Sequence, residues 1–223
     1  MSKKAEKVQV NEFDEALKTS TSFFENHKNA ILYGGGGVLA IIIAALLTYQ
    51  FVITPRSNRA DESIFHAEAL FMQGDYEKAL NGDGENLGFL GVIDEYKFTK
   101  AANIACLYAA KCYQATEKYQ EAIDLLDKFD GCDDELISPA AIALKGNCYA
   151  ELGQNEKAAE LLVKAAKEAD NNTVSPTCLL QAGQIYISLD NKEKAMDCFQ
   201  QIKSKYPNNN IYFEIEKYIE QAK

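Results

Sequence analysis

The sequence predicts an all-α protein, in which a single transmembrane helix near the N-terminus precedes an α-solenoid of about four helical repeats and a C-terminal capping helix. Three observations predict this architecture. Residues 30–53 form one run without a charged side chain. Beyond residue 55, apolar residues recur with the 3.6-residue period of a helix rather than the two-residue period of a strand. Within that part, one short motif occurs four times.

The first 29 residues form a polar tail, in which five lysines balance five acidic residues. Val10, Phe13 and Leu17, followed by two phenylalanines, predict a short amphipathic helix ahead of the apolar run. Such a helix would lie on the membrane surface or contact a partner. We therefore treat residues 1–29 as a separate tail.

The apolar run is long enough to cross a membrane. Its 24 residues would extend roughly 36 Å as a helix, against a hydrocarbon core of about 30 Å. A cleaved signal peptide is disfavoured because the run is too long and is followed by Thr54, Pro55 and Arg56 without a small-residue cleavage site. We predict an uncleaved transmembrane helix over residues 30–54; the alternative is a buried helix of a soluble protein.

Four consecutive glycines, Gly34, Gly35, Gly36 and Gly37, lie near the start of this run. Glycine is common in membrane helices, so the four residues are explained by ordinary composition. Equally, they predict a surface on which another membrane helix packs closely. Both interpretations stay open from the sequence.

The distribution of charge predicts an orientation and a class of partner. Five lysines precede the apolar run, whereas only Arg56 and Arg59 follow it before Lys78. This bias predicts a cytoplasmic N-terminus and a repeat domain on the outer side. Because the tail is neutral, the formal net charge of −10 falls on the domain. That charge disfavours nucleic acid and anionic lipid, and it suits protein partners.

A repeated motif follows the apolar run. Four segments align on one alanine, with spacings of 43, 36 and 37 residues: GDYEKAL at Ala79, EKYQEAI at Ala122, GQNEKAA at Ala158 and DNKEKAM at Ala195. The tyrosines Tyr113, Tyr149 and Tyr186 lie nine residues before the last three alanines, and Ala110, Gly146 and Gly183 lie three residues earlier still. Leu126, Leu162 and Phe199 lie four residues after those alanines, and Pro207 ends the last copy.

This pattern resembles the tetratricopeptide repeat, a pair of packed helices. Small residues let the first helix approach the second, and the tyrosine fills the space between them. One hairpin cannot cover its own apolar face, so neighbouring repeats must stack. Within residues 55–223 we predict repeats at about 60–97, 98–131, 138–170 and 175–207, with a cap at 210–222. The usual tryptophan is missing, and Ile142 and Leu179 are expected to fill its place.

The first spacing is about seven residues too long, and the excess is residues 81–87, NGDGENL. We expect this insertion to interrupt the second helix of the first repeat, with the helical pattern resuming at Leu90, Ile93 and Tyr96. It is either a harmless surface loop or part of a binding face, as loops on repeat stacks often are.

The sequence offers little for catalysis. Two histidines and six cysteines occur in no catalytic or metal-binding motif, and no pair of cysteines has CxxC spacing. Cys112 and Cys148 occupy the same repeat position and are expected to act as small buried apolar residues, with disulfides as the alternative. We therefore predict no catalytic residue, no cofactor and no metal.

The tail ending FFENHK, the single apolar run and the segment ADESIFHAEALFMQGDYEKAL resemble the YfgM-like proteins over nearly the whole chain. The stretch GFLGVIDEYKFTKAANIACLYAAKCY looks like the version found in Bacteroidetes-type sequences. The resemblance implies a single-pass protein of the bacterial inner membrane, with a periplasmic repeat domain and a cytoplasmic N-terminus. It also implies an ancillary subunit of the Sec translocon that pairs with a membrane-anchored parvulin-like chaperone and assists exported client proteins.

A second hypothesis is a cytosol-facing tetratricopeptide co-chaperone adaptor that grips acidic peptides. Such adaptors place lysine, arginine and asparagine on the inner faces of the first helices. Here we assign those places mainly to Ile64, Glu68, Tyr108, Ala140 and Leu144, and we expect an acidic concave face. Both features disfavour the adaptor, and an enzyme is disfavoured further.

Overall fold

A computed structural model describes residues 21–22, 25, 27–29, 33–35, 37–132 and 134–223. Helices and their connections make up these residues, with no β-strand among them, so the predicted all-α class is confirmed. The predicted amphipathic tail helix and Gly36 lie outside the described residues. The chain divides into two compact units, Met1–Arg56 and Ser57–Lys223.

The apolar run lies in a long helix. One helix, His27–Met72, is long and apolar enough to cross a membrane by length and composition, and it is the one such helix in the described part of the chain. The described side chains from Tyr33 to Ile53 are all exposed, including large apolar ones such as Ile41 and Phe51. The Thr48 hydroxyl donates to the Ala44 carbonyl oxygen at 2.9 Å, so this polar group has a partner within the helix.

The second unit is a series of helical hairpins. We number the α-helices from Thr54 onward α1 (Thr54–Met72), α2 (Tyr76–Asn81), α3 (Phe89–Glu95), α4 (Lys100–Ala115), α5 (Tyr119–Leu126), α6 (Ile137–Glu151), α7 (Asn155–Ala169), α8 (Ser175–Ser188), α9 (Lys192–Lys205) and α10 (Ile215–Gln221). A π-helical turn, Tyr49–Ile53, precedes α1, and a 3₁₀ helix, Asn210–Phe213, precedes α10.

The four hairpin turns share one geometry. In each, a residue with positive φ lies two positions after the end of the first helix: Gly74, Glu117, Gly153 or Asp190. The next amide then donates to a carbonyl oxygen five residues back, as from Gln154 to Tyr149 at 2.8 Å. This is the usual way for a short turn to satisfy the last carbonyls of a helix. Glycine adopts the conformation freely, whereas Glu117 and Asp190 do so under strain.

The insertion splits the second helix of the first hairpin into α2 and α3. Asp83 closes the loop by accepting hydrogen bonds from the amides of Glu85 and Asn86 at 3.0 and 2.7 Å. The loop ends meet at Gly82 and Gly88, where a Cβ on Gly88 would lie 2.4 Å from the Leu80 carbonyl oxygen. The pattern therefore resumes in α3, as the apolar residues around Leu90 predict.

Two apolar cores hold the hairpins together. The first runs from Ala60 to Ala158 and the second from Ala159 to Ala222, so the change from one core to the other falls within α7. Polar contacts join the fourth repeat to the loop after α7: the Tyr206 hydroxyl donates to an Asp170 carboxylate oxygen at 2.9 Å. Ile215 and Ile219 of α10 are buried in the second core.

Candidate protein-interaction surface

The small residues of the repeat motif lie at contacts between the two helices of a hairpin. A Cβ on Gly183 of α8 would lie 2.3 Å from a ring carbon of Phe199 in α9. A Cβ on Gly146 of α6 would lie 3.2 Å from the Ala158 carbonyl oxygen in α7. Gly183 therefore leaves room for a buried aromatic ring, whereas the space at Gly146 is less restricted.

The other motif residues set the spacing of the stack. The four aligned alanines are completely buried: Ala79, Ala122, Ala158 and Ala195. Tyr149 and Tyr186 are buried and Tyr113 is half-buried, and each tyrosine ring has a lysine ammonium near its face. The shortest of these contacts, 3.8 Å, joins Lys157 to the Tyr149 ring centroid. Pro207 is exposed just after α9.

An aromatic cluster connects the first two hairpins. Tyr108 of α4 stacks on the buried ring of Phe89, with centroids 5.4 Å apart and an angle of 11° between the planes. Its other neighbour is Phe71 of α1, whose ring meets it edge-on at 5.5 Å. Phe71 also packs against Tyr76 at 5.6 Å. The helix that follows the insertion thus places Phe89 against Tyr108 of the second repeat.

One side of α1 carries large apolar residues that the second unit leaves exposed. Phe65 and Met72 are exposed and Glu68 is half-buried, and their spacing along the chain places the three on one helix face. Burial raises the pKa of the Glu68 carboxyl. Burial and the Glu68 charge both raise the pKa of Tyr108, whose ring also lies 5.3 Å from the Lys111 ammonium. We call Phe65, Glu68, Met72, Tyr108 and Lys111 the aromatic face.

Two sequence-based assignments of the inner faces were wrong. Ile64 and Leu144 are buried in the first core rather than placed on an open face. Glu68, Tyr108 and Ala140 are half-buried, and Tyr108 belongs to the aromatic face. Phe65 and Met72 were not predicted as surface residues, although their spacing with Glu68 in the sequence indicates a shared helix face.

The expected acidic face is also not found on the first helices of repeats two to four. The charged residues of α4, α6 and α8 are Lys100, Lys111, Lys145 and Glu151. Lysines therefore outnumber acidic residues there, although the domain as a whole is acidic. Its carboxylates lie largely on the second helices and in loops. A partner that meets the first helices encounters a neutral to weakly basic surface.

Three cavities lie beside equivalent residues of successive repeats. Cys106, Ile142 and Leu179 each precede the aligned alanine by sixteen residues, and each lines a cavity, of about 430, 280 and 510 Å³ respectively. This is the position where tetratricopeptide repeats usually carry a tryptophan. Ile142 and Leu179 were expected to fill the space, but neither closes it. Repeats two to four therefore each have an opening beside this position.

The cysteines have the character of apolar residues. Five of the six are buried, and Cys132 is half-buried; all six are free thiols. Burial raises the pKa of Cys112 and Cys198 to about 12 and that of Cys148 and Cys178 to about 11. Thiols in this state are poor nucleophiles at neutral pH. The described residues contain no group of three side chains placed to hold a metal ion.

The described glycines of the apolar helix have open surroundings. A Cβ on Gly34, Gly35 or Gly37 would meet nothing within 4 Å beyond its own helix. This part of the helix therefore presents a smooth exposed surface, and both interpretations of the glycine run stay open.

A sequence profile for the family described as the T7SS, ESX-1 secretion system protein EccA1, N-terminal domain, matches residues 16–215. The chain belongs to this family. The match covers the apolar run and all four hairpins of this EccA1 N-terminal-domain protein. A comparison with curated proteins found no match.

Three solved structures are similar to this EccA1-family chain, and one of them, with a TM-score above 0.5, shows its fold. A crystal structure of nearly identical TPR-like repeats, described as a Podosopora anserina kinesin light chain, has a TM-score of 0.56 at 14% identity, covering 74% of this chain and 85% of that one. Two crystal structures of MamA have TM-scores of 0.45 and 0.47 at 21% and 20% identity, covering 70% and 73% of this chain and 91% and 89% of theirs. The first likeness shows a tetratricopeptide-type repeat fold, as the repeat motif predicts.

Proposed function

We propose that this protein is a membrane-anchored, non-catalytic repeat scaffold that binds proteins at a site of protein export. The aromatic face carries the proposal, because two large apolar side chains, Phe65 and Met72, stay exposed beside an ordered aromatic cluster. Aromatic and methionine side chains are enriched in protein interfaces. Tetratricopeptide-type stacks present such surfaces to partner proteins.

The apolar helix supports the anchoring part of the proposal. Its described apolar side chains are exposed, and leaving so many in water would be unfavourable. A lipid bilayer removes this cost, and a helix satisfies its own backbone hydrogen bonds there. The proposed location is the bacterial inner membrane, with a cytoplasmic N-terminus and a periplasmic repeat domain, as the lysine bias predicts.

The proposed partners are the Sec translocon, a membrane-anchored parvulin-like chaperone and the exported proteins that pass between them. The likeness of the sequence to YfgM-like proteins supports this choice. The description of the matched family also names a protein of a secretion system. In this proposal the apolar helix contacts the translocon within the bilayer, and the aromatic face contacts the chaperone or client.

Two chimaeric proteins test this division of labour in native membranes. The first exchanges residues 30–53 for an unrelated membrane helix, and the second deletes residues 60–223. Photo-cross-linking and co-purification should show that the exchange releases the translocon but retains the chaperone, with the reverse for the deletion. Full recovery of the translocon with the exchanged helix would contradict the role given to the anchor.

Point variants test the aromatic face. Phe65→Asp with Met72→Asp should lower chaperone or client capture several-fold without changing the thermal stability of the domain, because both side chains are exposed. Phe213→Asp is a matched control, since Phe213 is equally exposed on the 3₁₀ helix before α10. Equal capture by the two proteins would count against the aromatic face.

A cytosol-facing adaptor for acidic peptides is a second candidate. Lysines outnumber acidic residues on the first helices of repeats two to four, which favours it. Protease added to spheroplasts separates the two orientations. The proposed scaffold should be cut to a small membrane-protected fragment, whereas the adaptor should survive until detergent is added.

A further inference from the structure

Phe98 occupies an unusual position in the turn between α3 and α4. Its side chain is fully exposed, and its backbone has a φ of 69°. Positive φ is a strained conformation for a bulky residue without glycine's freedom. Because the ring is fully exposed, no burial of apolar surface within the domain compensates for this strain. Strain of this kind is often found at binding sites.

The 430 Å³ cavity described above lies directly beside this ring. Its apolar wall includes Ile93, Ala102 and Cys106, and Phe98 contributes to its edge. Asn103, also in the lining, fixes the position of the loop after α5: its side-chain amide donates to the Gly131 carbonyl oxygen at 3.0 Å, and its oxygen accepts from the Asp130 amide at 2.9 Å. The site is therefore a preformed opening, within the size range of ligand pockets.

Lysines surround this opening. Lys97, Lys100 and Lys128 line it together with one acidic residue, Asp130. Lys97 pairs with Asp94 at 2.8 Å, whereas Lys100 and Lys128 form no ion pair with a residue that the structure describes. The cavity beside Ile142 differs in the pairing of its lysines.

That neighbouring cavity, beside Ile142, has its two lysines already paired. Lys145 bonds to Asp127, and Lys164 lies 3.6 Å from Glu168. The opening beside Phe98 is therefore distinguished by two ammonium groups that form no ion pair with any described residue, next to an exposed aromatic ring. In a domain of net negative charge, such a local excess of positive charge is a specific feature.

We propose that this opening, which we call the Phe98 pocket, binds an acidic protein segment through one bulky apolar side chain flanked by carboxylates. The apolar side chain enters beside Cys106 and packs on the Phe98 ring. The flanking carboxylates pair with Lys100 and Lys128. This site is separate from the aromatic face and does not depend on the function proposed for it.

An anionic bilayer surface is the less suitable occupant. A flat surface cannot place groups in a recess between α4 and the end of α5. Asp130 in the lining, Asp94 beside Lys97, and the net charge of −10 would also repel it. A peptide avoids the first problem because a single side chain enters the pocket, and it lessens the second because its few carboxylates can lie directly against Lys100 and Lys128.

The absence of tryptophan from the sequence allows a direct test with the full chain in nanodiscs of zwitterionic lipid. Phe98→Trp creates a single tryptophan at the edge of the pocket, and Phe213→Trp is the matched exposed control. The probe is the synthetic peptide Asp-Asp-Leu-Phe-Glu-Asp. It should shift the Phe98→Trp emission to shorter wavelength in a saturable way, and the Phe213→Trp emission should not change.

Three comparisons decide the outcome. Lys100→Glu combined with Lys128→Glu should lower the affinity for the peptide by about tenfold or more, whereas Lys192→Glu should have little effect on it. A peptide with lysines in place of its acidic residues, or with alanine in place of Leu-Phe, should not bind. Absence of a saturable shift, equal binding by the charge-reversed protein, or a shift produced by phosphatidylglycerol vesicles instead of the peptide would overturn the proposal.

A further reporter separates this site from the proposed function. Phe65→Trp places the probe on the aromatic face and should not respond to the acidic peptide. If Phe98→Trp responds while the variants of the aromatic face retain full chaperone capture, the pocket stands and the role of the aromatic face fails. If Phe98→Trp does not respond while the variants of the aromatic face lose chaperone capture, the Phe98 pocket is refuted and the role of the aromatic face stands.

Discussion

Replacing Gly183 by alanine tests the packing between the two helices of the fourth repeat. The added Cβ would lie 2.3 and 2.7 Å from two carbons of the Phe199 ring, which is well inside a normal contact. Phe199 is completely buried, and its ring packs at 5.7 Å against that of Tyr218 in α10. The ring therefore cannot move aside without disturbing the cap.

The expected cost follows from two opposing effects. Overpacking of a buried site costs about 1–3 kcal/mol, and alanine recovers about 1 kcal/mol relative to glycine within a helix. Because the contact at Gly183 is as short as 2.3 Å, we take the upper part of the overpacking range, about 2–3 kcal/mol, so Gly183→Ala should destabilise the domain by about 1–2 kcal/mol. Gly146→Ala is the matched control, because its Cβ would approach no atom closer than 3.2 Å. Overpacking and helix propensity should roughly cancel there.

Urea and thermal unfolding of the second unit, Ser57–Lys223, measure both variants by circular dichroism. A loss of about 1–2 kcal/mol corresponds to a decrease in Tm of about 2–8 °C for a domain of this size. The double variant Gly183→Ala, Phe199→Leu should lose less stability than the sum of the two single variants, because leucine no longer occupies the space that the added Cβ needs. Equal stability of Gly183→Ala and wild type, or strict additivity in the pair, would refute this account of the contact.

Three further predictions concern single sites. Glu117→Gly should stabilise the domain by about 0.5–1 kcal/mol in urea unfolding, because glycine relieves the positive φ of this turn, whereas Glu117→Ala should not. Burial raises the pKa of the Glu68 carboxyl in the folded state, so protonation of this group favours folding. Glu68→Gln should therefore be more stable than wild type near pH 7. The unfolding curves of the two proteins should converge as the pH falls through the raised pKa, because wild-type Glu68 is then protonated. Cys132 should react first with a maleimide, because the other five thiols are buried, and Cys132→Ser should abolish the fast phase in mass spectrometry.

The repeated motif allowed much of the fold to be predicted because it encodes local contacts. The aligned alanines and the tyrosines before each turn mark positions where two helices touch, and these positions recur with the period of the repeat. The insertion was equally visible, since NGDGENL combines glycines with residues that favour turns. The structural consequence of the insertion, the stacking of Phe89 on Tyr108, could not be predicted, because it depends on where α3 begins after the loop.

The surface was harder to predict than the hairpins. Ile64 and Leu144 were assigned to the inner face, but a shift of one position around a helix turns a side chain by about 100°, from an open face into a core. The cavities had a partial signal in the missing tryptophan. Their depth is decided by how far neighbouring helices close over Cys106, Ile142 and Leu179, which the sequence alone does not specify.

Charge offers the clearest difference between composition and surface. A net charge of −10 suggested that any binding face would be acidic, but net charge describes the field at a distance and not the residues at one place. Helices α4, α6 and α8 carry more lysine than carboxylate, and Lys100 and Lys128 stand unpaired among the described residues beside Phe98. An acidic segment approaching the domain would be repelled at long range and held only where these ammonium groups lie within direct reach. Recognition of that kind selects for a close geometric fit, because the long-range field gives no assistance to a segment that does not fit.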